Sequence, residues 1–368
     1  MFSEYSKARY RSIDAWRGTA CLLVVWFHAG DMAISRNQSL GNSFFWRASL
    51  IGEIGVPMFF VISGYCMIQS AAQLTERENR TFTFIKQRFR RIYPAYFITA
   101  VLALILLLAG SFLSASGKIE KNEFTEFDYL HQPFLYYLSN LTLTQAFFKQ
   151  KSLVYVSWTL CYELAFYLVI AVSLAFYEYK DSVKKIITGV EFISLACLIL
   201  AFTLRYSTPF PLEWFPVFGM GASVWRVLNS QSKRHELVPA VLIAIGALIV
   251  GLRFNLPWGY MGQMSRQIFL SGVGFSVILI LGRKRDLQFS SLKAVKALSF
   301  VGKISYSVYL SHLYVIHIVD QISFHLPNSK FYTPLLAVSA GILALPAGYL
   351  FHLAFEKPFY AKKVASVE

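Results

Sequence analysis

Ten runs of mainly apolar residues, each close to the roughly 20-residue length of a helix that crosses a bilayer, constrain this chain more than any other feature. They lie at 18–34, 53–72, 92–113, 155–177, 186–204, 213–229, 237–253, 260–282, 304–324 and 333–355, bounded by charge. Lipid offers no water to satisfy backbone N–H and C=O groups, so such runs must be helices. The predicted fold is all-α and integral to a membrane, with about ten transmembrane helices. Charged residues make up 15% of the chain, against about 25% in soluble domains, which excludes a water-soluble fold. No Pro-, Gly- or Ser-rich linker interrupts the pattern, so residues 1–368 read as a single membrane domain.

The formal net charge of +15 would suggest nucleic acid as the partner of a soluble protein. The placement of the charges excludes it. Of the 35 basic residues, 25 gather at 7–17, 77–91, 180–185, 226–234, 283–303 and 357–363, between apolar runs. Positive charge in alternate short loops is an orientation signal in a bilayer. An even number of spans then puts both termini on the cytoplasmic side with these groups. The stretch 114–132, with Glu120, Glu123, Glu126 and Asp128 against Lys118 and Lys121, is expected outside. The segment 133–150 is apolar but short and carries Ser, Asn, Thr and Gln. Counting it as a span would invert every later loop, so it reads as a re-entrant or interfacial segment on the outer side. The first run follows a basic stretch, yet His28 and Asp31 fall where a signal peptide would be cut, so it reads as a retained helix. Cys21, Cys66, Cys161 and Cys197 lie inside apolar runs without zinc or redox spacing and read as core thiols.

Ionisable groups within apolar runs are costly and mark functional positions. In SIDAWRGTACLLVVWFHAG, Arg17 and His28 are eleven positions apart. Three helical turns put both on one face, roughly 16 Å apart. Asp14, three residues before Arg17, is placed to pair with it. A cation at the membrane mouth and an imidazole deep inside suit a ligand with an anionic head and a long arm ending in a reactive centre, which describes acyl-CoA. The spacing fits equally a snorkelling anchor at Arg17 and a packing histidine at His28.

In EIGVPMFFVISGY, Gly55 and Gly64 read as small residues that let helices approach. Ser63 is a ligand hydrogen-bonding candidate; it is not read as a nucleophile, because no G-x-S-x-G elbow surrounds it. The loop read at 77–94 ends in Arg88, Arg90 and Arg91. These anchor the membrane face, and their guanidinium forks match phosphate. In SWTLCYELAFYLV, Glu163 must be protonated, paired or open to a polar cavity. A pairing with His28 would set the imidazole tautomer. KISYSVYLSHLYVIHIVD carries His312 after Tyr306 and Tyr309, with His317 about 140° round the helix from it. No H-E-x-x-H or comparable ligand spacing occurs, so no metal is expected.

Six fragments, each weak alone, together resemble the acyltransferase-3 family of membrane O-acyltransferases. In chain order they are DAWRG with Arg17 and His28, GVPMFFVISGY, the R-x-x-R pair Arg88 and Arg91, SWTLCYE, ISYSVYLSH, and EKP at Glu356 to Pro358. The resemblance covers nearly the whole chain. It implies ten core helices in the inner (plasma) membrane, an acyl-CoA donor reaching the site from the cytoplasm, foremost acetyl-CoA, and no permanently bound cofactor. The implied acceptor is a hydroxyl of an extracytoplasmic glycan or lipid-linked saccharide. The functional positions it carries over are Arg17, His28, Arg88 and Arg91, with Glu163 and His312 behind them. Many relatives have Gly at the position of Ala15. Some add a C-terminal SGNH hydrolase-like domain; its absence here would make acyl handling finish within the membrane unit.

On this reading His28 is the general base that takes a proton from the acceptor hydroxyl, with Glu163 as a second catalytic group and Arg17, Arg88 and Arg91 holding CoA phosphates. Transient acylation of an enzyme nucleophile is the mechanistic variant. The alternative from another class is a transporter or flippase of a lipid-linked glycan. No internal repeat is evident, which weakens it.

Overall fold

The computed structural model describes residues 10–117, 129, 131–177, 182–204, 209–229, 234–253, 265–323, 326 and 328–361. The acidic stretch 118–128, basic residues 7, 9, 180, 233, 362 and 363, and the start of the run 260–282 lie outside the described residues. Among the described residues every regular element is helical. The helices are α1 (Ile13–Arg36), α2 (Phe44–Ser49), α3 (Gly55–Leu74), α4 (Arg80–Ala115), α5 (Phe134–Leu141), α6 (Trp158–Phe176) and α7 (Ser182–Leu204), then α8 (Phe215–Asn229), α9 (Val238–Arg253), α10 (Ser265–Gly282), α11 (Asp286–Ser291), α12 (Lys293–Ile322), α13 (Tyr332–Phe351) and α14 (Lys357–Ala361).

Each of the ten predicted runs contains helix over most of its described length, and among the described residues seven helical stretches are long and apolar enough to cross a bilayer. These are Ile13–Arg36, Phe44–Leu74, Arg80–Ala115, Tyr155–Phe176, Ser182–Leu204, Gln267–Ser291 and Tyr332–Phe359. The remaining three differ for separate reasons. α8 and α9 have 15 and 16 residues, below the roughly 20 that a perpendicular span needs. α12 has 30 residues, but Lys293, Lys296 and Lys303 occupy its first half and Ser, Tyr and His residues dilute the apolar remainder.

One local expectation is revised. The stretch 77–94 is not a loop: α4 starts at Arg80 and continues through Pro94 for 36 residues. Its basic first half is therefore helical, and Arg88 and Arg91, three residues apart, share a face. The segment 133–150, expected not to be a span, holds only a short helix. α5 has eight residues, about 12 Å of helix, and turns follow it. Asn140 organises those turns, donating from Nδ2 to the carbonyls of Tyr136 (3.0 Å) and Lys151 (3.1 Å). Its Oδ1 accepts from the Leu153 N–H at 2.7 Å, and the Tyr96 hydroxyl donates to its carbonyl at 2.7 Å. Buried irregular backbone is thus satisfied by one amide side chain.

Contacts divide the chain into two compact units interleaved in sequence. The first comprises Met1–Val24, Ile51–Arg88 and Tyr162–Ser305; the second comprises Val25–Leu50, Phe89–Cys161 and Tyr306–Glu368. In the first, α3 and α8 pack at backbone distance. A Cβ on Gly64 would strike the carbonyl oxygen of Phe218, and one on Gly221 would strike that of Val61. Close approach of small residues is how helices associate in lipid. The entry to α1 is set by Asp286, which accepts from the Ser12 N–H (2.9 Å) and hydroxyl (2.7 Å) and the Arg11 N–H (2.7 Å). The Tyr10 hydroxyl donates to the Leu279 carbonyl at 3.1 Å. Burial, and then the neighbouring Asp286 carboxylate, hold the Tyr10 phenol above its usual pKa.

In the second unit, Ala29, Met32, Ala33, Leu40, Ile316, Ala337 and Ala340 form a core shared by the end of α1, α12 and α13. Arg36, at the end of α1, closes it by pairing with Asp320 at 3.1 Å and donating to the Ser323 carbonyl.

Candidate active site

α1 runs unbroken from Ile13 to Arg36, so Arg17 and His28 keep the helical register expected of them. In the first unit, Arg17 donates to Asp14 at 2.8 Å, with 14% and 16% of the two side chains exposed. Its other Nη lies 3.6 Å from the Cys66 sulfur. The guanidinium is oriented yet still partly accessible.

Glu163 on α6 is held within the same unit by hydroxyls from two helices. The Ser63 hydroxyl of α3 donates to its Oε1 at 2.9 Å, and the Tyr167 hydroxyl, one turn along α6, donates to the same oxygen. Tyr167 also meets Arg88: the guanidinium carbon lies 5.8 Å from its ring centroid and 5.4 Å from that of Phe84. Arg88 Nη2 donates to the Ser70 hydroxyl at 2.9 Å, whereas its buried Nε has no hydrogen-bond partner among the described residues. Ser63, Glu163, Tyr167, Arg88 and Ser70 thus form one connected polar strip, which desolvation makes energetically consequential.

In the second unit the imidazoles of His28 and His312 are neighbours, with ring centroids 5.2 Å apart and planes inclined at 43°. Tyr155 stands edge-on to His28 at 6.2 Å. Tyr309, whose ring lies 5.9 Å from that of His312, shares a 2.8 Å hydrogen bond with Thr159. Tyr306 donates to the Ile92 carbonyl at 2.9 Å, tying α12 to α4. Arg91 is half-buried on α4.

Three polar constellations went unnoticed in the sequence. Glu191 of α7 pairs with Arg226 of α8 at 2.8 Å, with 2% and 9% of the side chains exposed, and Ser223 donates to the same carboxylate at 2.9 Å. Sequence placed Arg226 among the loop cations, although Glu191 and Arg226 both sit within apolar runs, the signal that marks such a pair. Glu213, just before α8, accepts from the Tyr162 hydroxyl. Glu356, of the EKP fragment, accepts from Ser307 at 2.5 Å and pairs with His352 at 2.8 Å within a π-helical turn, His352–Glu356. That fragment joins α12 to the end of α13.

The helices and their internal polar strips define a multi-pass membrane protein with ionisable chemistry placed inside its helical units. The chain belongs to the Acyl_transf_3 family, described as an acyltransferase domain, which matches residues 10–353. It is 28% identical over 348 residues to a Komagataeibacter xylinus protein named as the membrane-bound transacylase BcsY, covering 93% of this chain and 80% of that protein. It is 26% identical over 315 residues to the exopolysaccharide production protein ExoZ of Rhizobium meliloti, covering 82% and 88%. A Staphylococcus aureus protein named as an O-acetyltransferase, SAS0844, is 24% identical over 385 residues; the match covers 97% of this chain but 58% of that protein's length. No solved structure matches.

Proposed function

We propose that this protein is an acyl-CoA-dependent O-acyltransferase of the inner membrane that moves an acyl group, acetyl foremost, onto a hydroxyl of a surface polysaccharide or lipid-linked saccharide. The observation that carries this reading is the His28 and His312 pair, 5.2 Å apart, in a chain of the acyltransferase family. The names of the transacylase, O-acetyltransferase and exopolysaccharide relatives support the polysaccharide acceptor.

The whole chain acts as one membrane domain with ten spans and both termini in the cytoplasm. The donor binds from the cytoplasm, its phosphates held by Arg17, Arg88 and Arg91, whose planar forks suit phosphate better than lysine would. His28 removes the acceptor's hydroxyl proton as the oxygen attacks the thioester carbonyl, a step in which general-base catalysis contributes about 10²–10⁴-fold. Glu163, held by Ser63 and Tyr167, supports the donor side of the reaction.

The test uses membrane vesicles from cells that make the protein, supplied with acetyl-labelled acetyl-CoA. Label should enter saccharide and free CoA thiol should appear together, and both should fall about 10²–10⁴-fold with His28→Ala. Glycan movement across the bilayer that is indifferent to CoA would replace the enzyme by a transporter.

A further inference from the structure

We propose that His312 is the proton-accepting partner of His28: the lone pair on its Nε2 sets the His28 tautomer and receives the proton that His28 relays from the acceptor hydroxyl. The proposal rests on the acyl-transfer reading above and gives His312 a role that reading leaves open.

The argument begins with the fully buried His312 ring, which has 0% exposure. Its Nδ1 faces two carbonyl oxygens of its own helix, Tyr309 at 2.8 Å and Val308 at 3.2 Å. Carbonyls only accept, so Nδ1 carries the hydrogen and the neutral ring leaves Nε2 as a bare acceptor. Among the described residues no group bonds that Nε2. A buried acceptor without a donor costs about 1–3 kcal/mol, so a donor brought to this nitrogen by a neighbouring ring would be stabilising.

The neighbouring imidazole, 5.2 Å away, is His28. A single N–H···N bond between two imidazoles spans about 5 Å between centroids, from about 2.9 Å between nitrogens plus a ring radius at each end. Hydrogen bonds between catalytic groups are commonly long or misaligned before substrate binds. The exposures distinguish the pair: His28 is half-buried and so the one that can meet a substrate, while His312 is fully buried. The other rings against the pair are Phe27 and Tyr155 beside His28 and Tyr309 beside His312.

The step balances without a further reactant. The acceptor's O–H bond breaks as its oxygen bonds the acyl carbon and the carbon–sulfur bond opens. The proton goes to the free nitrogen of His28 while the N–H on its other nitrogen passes to His312 Nε2. The two carbonyls facing Nδ1–H stabilise the imidazolium. The proton then returns through His28 to the CoA thiolate, leaving CoA as its thiol and both rings neutral. His312 is thus a positioning and relay residue acting through His28.

The test compares His312→Asn and His312→Gln in vesicles with labelled acetyl-CoA, each with and without His28→Ala. An Asn amide can still donate to the helix carbonyls but lacks an acceptor at the Nε2 position; Gln restores one. The expected result for Asn is a fall in kcat of about 100-fold with KM for acetyl-CoA unchanged, and for Gln only a partial recovery, to about tenfold below wild type, because its amide oxygen can set the His28 tautomer but cannot take up the proton; a Gln variant with full wild-type kcat would remove the relay. In the His28→Ala background neither change should lower the rate further, because residues acting as a unit are non-additive. A His312→Asn protein with wild-type kcat, or losses at the two positions that multiply, would overturn the proposal. Wild-type vesicles that transfer no acetyl at all would instead sink the acyl-transfer reading itself.

Discussion

Ser63 donates its hydroxyl hydrogen to Glu163 Oε1 at 2.9 Å, so the small polar residue of one apolar run satisfies the carboxylate of another. Tyr167 donates to the same oxygen. Replacing Glu163 by Leu strands both hydroxyls, at a cost of about 1–3 kcal/mol. Glu163→Gln keeps an acceptor oxygen and should lower stability by less than about 1 kcal/mol. Thermal unfolding of the two purified variants in detergent checks the order.

Arg88 is held by Ser70 and by the faces of Phe84 and Tyr167, with Nε left over. Lysine has neither the fork nor the flat stacking surface. Arg88→Lys should therefore behave almost like Arg88→Ala, raising KM for acetyl-CoA about tenfold, or about 1.4 kcal/mol, while kcat changes little. Steady-state kinetics in vesicles separates the two constants.

Glu191 and Arg226 form a desolvated pair between α7 and α8. Removing one partner of such a pair costs about 3–5 kcal/mol, whereas replacing both by apolar residues of similar volume is often neutral. Arg226→Met should abolish the folded peak in size-exclusion chromatography, and Glu191→Leu in the same chain should restore it.

Gly64 and Gly189 offer a matched comparison. A Cβ at Gly64 meets the Phe218 backbone, while one at Gly189 meets nothing within 4 Å. Gly64→Ala should destabilise by about 1–3 kcal/mol through overpacking, and Gly189→Ala should be neutral or stabilising by up to about 1 kcal/mol. Paired melting curves settle this.

Helix positions, and the ionisable residues that fall inside α1, α4, α6 and α12, were legible because bilayer thickness and charge cost act on the sequence directly. Pairings were less so, since they depend on which faces meet. Ser63, a ligand-contact candidate by sequence, donates to Glu163, a partner that nothing local predicts. Gly64 was read as a packing residue, and its contact with Phe218 agrees. Glu191 and Arg226 are 35 positions apart with nothing local to join them, and only the packing of α7 on α8 brings them together. The helical start of α4 was missed because charge signals a membrane boundary whether the chain there is coiled or helical. The seven long apolar stretches leave α8, α9 and α12 as the helices whose lengths or charges depart from a simple span.

The most direct test of the central claim is O-acyl content of surface polysaccharide, by NMR or mass spectrometry, in cells lacking this protein and complemented with wild type or with His28→Ala at matched membrane abundance. The account predicts that one acyl group is lost without the protein and restored by wild type, and that His28→Ala restores none of it. Full restoration by His28→Ala, or unchanged acylation in the cells lacking the protein, would contradict it.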